Sequence, residues 1–198
     1  MTLAANVAEY LASAVHTPRL VLEPLGAHHA DAFFAPLQEE PLYRWISMNR
    51  PATLEGLRNN WRDIESRRSP DLKHAWPTWA VRRKADGRYL GEVDAEVNES
   101  MQATNFGYYF FSPFWGQGYA TEAVTAASHQ LMQRGVSRLV ATVTVGNLAS
   151  VRVLQKAGFQ FTRVLPDNDS LRGVPVDDEE YVKAAPLPGP HPFPEPTR

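Results

Sequence analysis

Hydrophobic positions along the chain fall into seven runs with the composition of strands, rich in branched apolar and aromatic residues. The Ala85-Asp86-Gly87 segment separates the second run from the third and predicts a hairpin turn. The predicted strands cover residues 19–25, 79–83, 88–97, 104–111, 138–145, 159–164 and 181–184.

Between these runs, apolar residues recur at the spacing of a helix face. Helices are predicted at 31–39, after a Thr53 N-cap, over a stripe from Ala120 to Leu131, and at 150–156. Residues 1–17 have a similar pattern, in Leu3, Val7, Leu11 and Val15, which predicts an N-terminal lead-in helix before a domain spanning 18–184. Prolines alternate through 186–196, so residues 185–198 are predicted to be an extended or disordered tail.

The predicted strand at 104–111 is the most aromatic segment of the chain. Side chains alternate in a strand, so Tyr108 and Phe110 face one side while Tyr109 and Phe111 face the other. Apolar residues on both faces predict a central strand that is covered on both sides.

Composition narrows the class of protein. The 198 residues are 43% hydrophobic and 21% charged, as in globular proteins, and the net charge of -2 argues against nucleic acid or anionic lipid as the main partner. The chain lacks cysteine, which excludes thiolate nucleophiles, and its histidines lack metal-ligand spacing beyond the adjacent His28 and His29. The N-terminal segment makes a poor signal peptide because Glu9 lies within its apolar stretch, and no apolar run is long enough to span a membrane. We therefore expect a cytoplasmic protein, and from the histidine spacing we expect no metal site.

A glycine-rich turn occupies residues 114–123, FWGQGYATEA, directly before a predicted helix. Such turns bind anions because glycines let the backbone approach a ligand and the first helical N–H groups lack internal partners. The dinucleotide fingerprint requires glycine or alanine where this chain has Thr121, and a P-loop requires a lysine that is absent here. Two common phosphate-binding motifs are therefore excluded.

The segment WGQGYA, residues 115–120, resembles the acetyl-CoA pyrophosphate loop Q/R-x-x-G-x-G/A of the GNAT superfamily of N-acetyltransferases. Trp115 replaces the usual glutamine or arginine, as in the RimJ/RimL-type branch that acetylates ribosomal-protein N-termini and its small-molecule relatives. Residues 147–159, NLASVRVLQKAGF, resemble the N-x-x-S/A…K-x-G-F signature of the same family. The resemblance covers about residues 18–184 and implies an α/β GNAT fold. This fold has a mixed, strongly twisted sheet with helices on both faces and splayed central parallel strands, here 104–111 and 138–145.

The resemblance also implies acetyl-CoA as cosubstrate. The glycine loop would hold its pyrophosphate through backbone N–H groups, and the backbone of Phe110 and Phe111 would meet the pantetheine arm. Asn147 is either a contact of the arm or the amine, or a helix cap; Lys156 is either a phosphate contact or a surface lysine. The loop residues that carry this prediction are Gly116, Gln117, Gly118, Tyr119, Ala120 and Thr121.

The catalytic candidates are Ser150, Asn147, Tyr108 and Glu92. Relatives often have a tyrosine that protonates the leaving thiolate at the place of Leu154, so Ser150 becomes the candidate for that role. Relatives also have an acidic residue just before the Gly-Tyr of the first splayed strand, where this chain has Asn105. Glu92, on one strand face with Asp94 and Glu96, is the substitute base, unless these acids form a solvated sheet face.

The predicted activity is transfer of an acetyl group from acetyl-CoA to a primary amine by direct attack in a ternary complex, since no cysteine can carry an acyl group. The acceptor is a protein N-terminus, a polyamine or an aminoglycoside-like amine, and the chain is a monomer or a homodimer. The alternative is an acyl-CoA-binding module that has lost catalysis, motivated by Leu154 and Asn105.

Overall fold

A computed structural model of the protein describes residues 4–185, and one mixed sheet forms their framework. The strands are β1 (Val15–His16), β2 (Leu20–Pro24), β3 (Thr78–Arg83), β4 (Tyr89–Val97), β5 (Gln102–Phe110), β6 (Arg138–Thr144), β7 (Gln160–Leu171) and β8 (Val174–Ala184). They lie in the order β1-β2-β3-β4-β5-β6-β8-β7, and every neighbouring pair is antiparallel except β5 and β6.

Helices cover both faces of this sheet. The helices are α1 (Ala5–Ala12), α2 (Ala30–Phe34), α3 (Leu54–Ile64), α4 (Tyr119–Gln133) and α5 (Leu148–Lys156). On β5, Tyr108 reaches α5, with its Oη 2.7 Å from Ser150 Oγ, while Phe111 just beyond the strand packs against Phe33 of α2 with ring centroids 5.4 Å apart. Side chains at even and odd positions of a strand point to opposite faces, so α5 and α2 lie on opposite sides of the sheet.

The parallel strands β5 and β6 separate soon after they meet. They pair only at Gln102 with Arg138 and at Ala103 with Leu139, although β5 continues to Phe110 and β6 to Thr144. The gap widens towards the C-terminal ends of both strands, and we call it the interstrand cleft, bounded by 104–110 and 140–144. The predicted mixed α/β architecture with splayed central parallel strands is confirmed.

The N-terminal segment is part of the fold. Residues Ala5–Ala12 form a helix within the predicted lead-in, and Ala8 and Leu11 are fully buried. Val15 belongs to β1 instead of the helix, and the indole of Trp79 donates to the Ser13 carbonyl at 3.1 Å. The proline-rich segment beyond residue 185 lies outside the described residues. Within 4–185, no helix is long and apolar enough to cross a membrane.

Two predicted elements have different bounds in the structure. The helix predicted at 31–39 is wrong in length: α2 ends at Phe34, and 3₁₀ turns follow at Pro36–Gln38 and Glu40–Arg44 because proline lacks an N–H for the helical ladder. The strands predicted at 159–164 and 181–184 are parts of a much longer β7–β8 hairpin. Its polar composition, with a turn at Arg172 and Gly173, conceals the strand pattern in the sequence.

Candidate active site

The glycine turn places unpaired N–H groups at the start of α4. Gly118 is the N-cap of α4 with φ +79°, a left-handed conformation that favours glycine, and Gly116 has φ +74°. The first helical hydrogen bond runs from Glu122 N to Gly118 O, so the N–H groups of Tyr119, Ala120 and Thr121 precede the ladder. A side chain at Gly116 would meet nothing within 4 Å. The turn therefore presents an open row of donors suited to a diphosphate.

Arg19, the residue directly before β2, holds this turn in place. Its Nη1 donates to the Gln117 carbonyl at 3.1 Å, its Nε pairs with Glu122 at 2.6 Å, and its guanidinium lies 4.4 Å from the centre of the Tyr119 ring. Arg83 donates to Tyr119 Oη at 3.3 Å. Two arginines thus lie beside the predicted anion site, each paired with an acid, Arg19 with Glu122 and Arg83 with Asp86. Sequence analysis missed Arg19 because 98 residues separate it from Gln117.

Of the two residues predicted to meet the pantetheine arm, Phe110 faces the interstrand cleft. Phe111 N donates to the Leu90 carbonyl on β4 at 2.8 Å, and main-chain groups alternate in an antiparallel pair, so those of Phe110 point away from β4. The Phe110 carbonyl accepts from the Trp115 indole. Of the two main-chain groups of Phe110, the N–H is therefore the one that remains available to pair with an amide in the cleft.

Ser150, Asn147 and Tyr108 converge at the N-terminus of α5. Asn147 is the N-cap, with Oδ1 3.3 Å from Ser150 N, and this contact agrees with the cap interpretation. Tyr108 Oη lies 2.7 Å from Ser150 Oγ. Burial raises the pKa of Tyr108 to about 12, although the hydrogen bond with Ser150 acts in the opposite direction. Leu154 is fully buried and packs in the core.

The acids of β4 lie on the opposite sheet face, beside the odd-numbered residues of β5. Tyr109 donates to Glu92 at 2.9 Å, so polar groups line part of this face of β5, while Phe111 packs against Phe33 on the same side. Burial, followed by repulsion from Asp94, raises the pKa of Glu92 to about 8. Burial and Glu96 raise the pKa of Asp94 to about 6. All three acids keep partial solvent exposure, so a ligand can reach them.

Two grooves adjoin these groups. One, of about 760 Å³, follows α4 from Gly118 towards Lys156 and Lys183. Burial lowers the pKa of Lys183, whose amine donates to Ser128 Oγ at 2.9 Å. The second, of about 610 Å³, lies at the C-terminal end of β6, one of the two strands that bound the interstrand cleft, between a 3₁₀ segment and the β7–β8 turn; it is lined by Arg44, Trp45, Thr144, Val145, Leu171, Arg172, Val174, Pro175, Val176 and Asp177.

Metal ligands are not assembled in the described part of the chain, where no group of three or more acidic, histidine or cysteine side chains is arranged to hold an ion. Of the adjacent histidines, His29 is buried, and its Nδ1 lies 3.1 Å from the Gly26 amide.

Comparison with protein families shows to which family the chain belongs. Residues 19–160 match the acetyltransferase (GNAT) domain family. The chain belongs to the GNAT acetyltransferases. Along the sequence, this GNAT enzyme is 24% identical over 169 residues to the uncharacterized N-acetyltransferase YoaA of Bacillus subtilis (strain 168), covering 84% of this chain and 94% of the relative.

Solved structures share the same GNAT fold. Mycobacterium smegmatis RimJ in complex with CoA-disulfide has a TM-score of 0.77 and 19% identity, with 88% of each chain covered. RimL, a ribosomal L7/L12 alpha-N-protein acetyltransferase in complex with coenzyme A, has a TM-score of 0.76 and 17% identity, covering 87% of this chain and 98% of that one. The predicted family is confirmed, and its structural neighbours include the RimJ and RimL proteins.

Proposed function

We propose that this GNAT enzyme transfers an acetyl group from acetyl-CoA to a primary amine, foremost the N-terminus of a protein, in a ternary complex. The observation that carries the proposal is the interruption of the sheet after Ala103 and Leu139, beside a helix that begins with free N–H donors. An amide-containing arm fits the interrupted edge as an added strand, and its diphosphate fits the helix start.

Donor binding would use main-chain groups more than side chains. Gly116 and Gly118 leave room for the pyrophosphate, which would accept from the N–H groups of Gln117 through Thr121. The Phe110 N–H would pair with a pantetheine amide, and Phe111 would contribute its buried ring to the cleft wall. Lys156 lies in the groove along α4, where it would face the remaining phosphate of the coenzyme.

The Tyr108–Ser150 pair would supply the proton that the leaving sulfur needs. Because its pKa is raised to about 12, Tyr108 keeps its proton at neutral pH. Its hydroxyl and that of Ser150 lie 2.7 Å apart on the α5 side of the cleft, so either can pass a proton to the sulfur while the other replaces it. Asn147 would hold Ser150 in place by capping α5.

The groove at the C-terminal end of β6 would bind the acceptor. It joins Trp45 and the β7–β8 turn to Thr144, so an extended peptide entering from solvent would reach the cleft with its N-terminus first. This acceptor class agrees with RimL, whose name specifies an alpha-N-protein acetyltransferase.

Release of CoA from acetyl-CoA tests this function. Acceptors would be a peptide with a free N-terminal serine, spermidine and an aminoglycoside, with the N-acetylated peptide as the matched control. We expect turnover with the free peptide and none with its blocked form. Tyr108→Phe combined with Ser150→Ala should lower kcat by about 10²-fold or more while CoA binding is retained. CoA binding without turnover on any amine would identify a silent acyl-CoA-binding module instead.

A further inference from the structure

The carboxylate of Asp94 occupies a notch in β5 that the sequence alone does not reveal. Asp94 stands opposite Gly107 across the β4–β5 pair. A Cβ atom at Gly107 would lie 2.6 Å from Asp94 Oδ2, so the missing side chain is what lets the carboxylate lie over the strand. Asn105, two residues earlier on the same face, donates to Asp94 Oδ1 at 3.5 Å. The acid of β4 is thus held directly above the 105–107 segment of β5.

This segment lies in the middle of the splayed part of β5. Pairing with β6 has ended at Ala103, and Phe110 at the mouth of the cleft is three residues, or about 10 Å, beyond Gly107. Tyr108 projects from the next position to the opposite face, where it meets Ser150. A thioester in the cleft beside Tyr108 would therefore have the hydroxyl pair on one side of β5 and Asp94 on the other.

We infer that Asp94 is the general base of the acetyl transfer, a carboxylate supplied by β4 across Gly107 in place of an acid on β5 itself. The inference rests on the proposed function and names the residue that activates its amine. In this step Asp94 takes a proton from the acceptor ammonium, directly or through water, and frees the nitrogen lone pair. The nitrogen attacks the thioester carbonyl carbon, the C–S bond breaks, and the sulfur leaves with the electron pair and gains a proton. The nitrogen loses its second proton, so an ammonium and acetyl-CoA give an amide, CoA and one released proton.

The neighbouring acids differ from Asp94 in ways that suit other roles. Glu92 accepts a hydrogen bond from Tyr109, and with a pKa raised to about 8 it is mainly protonated at neutral pH. Glu96 is held by the Trp76 indole at 3.2 Å and by Thr104, beyond the notch. Asp94, with a pKa near 6, is ionised at neutral pH and still basic enough to accept a proton.

Several ionisable groups influence this titration. Glu92 and Glu96 flank Asp94 on its own strand and Tyr109 faces it from β5. Tyr43 approaches Tyr109 from the 3₁₀ segment, and His74 Nε2 lies 4.0 Å from Glu96. Burial, followed by the charge of Glu96, raises the pKa of Asp94 above that of an ordinary aspartate.

The test compares Asp94→Asn with Glu92→Gln, using whichever of the free-N-terminus peptide, spermidine and the aminoglycoside is turned over fastest. Asp94→Asn should lower kcat/KM by about 10²-fold or more and remove the limb of the pH profile near pH 6. Asp63→Asn, an exposed aspartate on α3, is the matched control and should stay within about 2-fold of the wild type. CoA affinity, measured by calorimetry, should be equal in all variants.

A relocated carboxylate provides a gain-of-function arm. In the double variant Asp94→Asn with Asn105→Asp, the acid moves to the adjacent strand where the amide now stands, and we expect it to recover at least about 10-fold of the lost kcat/KM. If Asp94 had only a structural role, a carboxylate at position 105 would not restore the pH limb.

Three results would overturn the assignment. An Asp94→Asn variant with a normal rate and a normal pH limb would overturn the assignment of the base but not the proposed function. Loss of the pH limb in Glu92→Gln, with the limb kept in Asp94→Asn, would do the same. A wild-type enzyme that binds CoA but releases none from acetyl-CoA with any amine overturns the proposed function, and the base with it.

Discussion

At the residue scale, a carboxylic acid in this protein differs from its neighbours mainly through its surroundings. Glu92 and Asp94 are two positions apart on one strand, yet one accepts a tyrosine hydroxyl and the other lies over a glycine. Burial raises the pKa of both, to about 8 and about 6 respectively. Their protonation states at neutral pH therefore differ, which separates a structural acid from a candidate base.

Glu92→Gln should change how stability depends on pH. Burial raises the pKa of Glu92 in the folded state above its value in the unfolded chain. The stability that the protonated carboxyl contributes is therefore complete below the ordinary glutamate range and is lost as the pH rises through about 8. Glutamine cannot ionise, so the variant should be more stable than wild type at about pH 9, by on the order of 1–3 kcal/mol, and similar at about pH 5. Urea unfolding at both pH values measures this.

Glu55→Gln is the control for that experiment, since Glu55 is exposed on α3. Its difference from wild type should be the same at both pH values. A Glu92→Gln variant whose difference from wild type is equally constant would show that the carboxyl is not perturbed by folding.

At the element scale, the start of α4 is held by side chains from near the N-terminus of the chain. Glu122 accepts from Thr17 Oγ1 at 2.6 Å, from Arg19 N at 3.0 Å and from Arg19 Nε at 2.6 Å. This ion pair fixes the orientation of the helix terminus relative to β2, and Arg19 in turn holds Gln117. The glycine loop is thus preorganised by contacts that are not part of its motif.

Glu122→Gln should loosen this junction. Burial by itself would raise the pKa of Glu122, but the hydrogen bonds from Thr17 and Arg19 outweigh it and lower the pKa below the ordinary value of 4.5. That stabilisation is present above the ordinary value and is lost as pH falls through the folded-state pKa. The variant should lose about 1–2 kcal/mol of unfolding free energy at neutral pH.

Thermal unfolding as a function of pH checks this expectation, and the difference from wild type should shrink in acid. Thr17→Val, which removes one of the same hydrogen bonds without changing charge, should show a smaller loss at neutral pH. If the difference between Glu122→Gln and the wild type stayed the same at low pH, the charge of Glu122 would not contribute to stability.

Local motifs were predictable from sequence for a physical reason. The glycine loop and the Asn147 cap depend on backbone conformation within a few residues, so Gly116, Gly118 and Ser150 could be identified through the short family motifs that they resemble. Contacts set by strand register could not: Tyr108 meets Ser150 across 42 residues, and Glu122 meets Arg19 across 103. The full length of the β7–β8 hairpin was missed because most of its residues are polar and exposed, without an apolar face to mark the strands.

At the scale of the whole molecule, the sheet consists of two halves joined through a short parallel ladder. Direct pairing between β5 and β6 involves two residue pairs, and α4 connects the same two strands along the chain. A coenzyme bound between the halves would contact both of them. Ligand binding should therefore stabilise the fold as a unit instead of one half alone.

CoA should raise the melting temperature. At a CoA concentration about 100 times Kd, linkage predicts about 2.7 kcal/mol of added stability, or on the order of 5–10 °C for a chain of this size. ATP, which has no pantetheine arm, should give a clearly smaller shift. Gly118→Ala, strained at φ +79°, should reduce the CoA shift; an undiminished shift would remove the loop from the binding site.

The early end of the β5–β6 ladder also affects how the protein behaves in a crowded solution. Unpaired strand edges normally lie at the rim of a sheet, where they can recruit other chains and aggregate. Here such an edge lies inside the sheet, with further strands on both sides of it, so a strand of a second chain cannot extend the sheet there as it would at an outer rim. The fold thus keeps an unpaired backbone edge available to a slender ligand without offering other proteins a rim on which to add a strand.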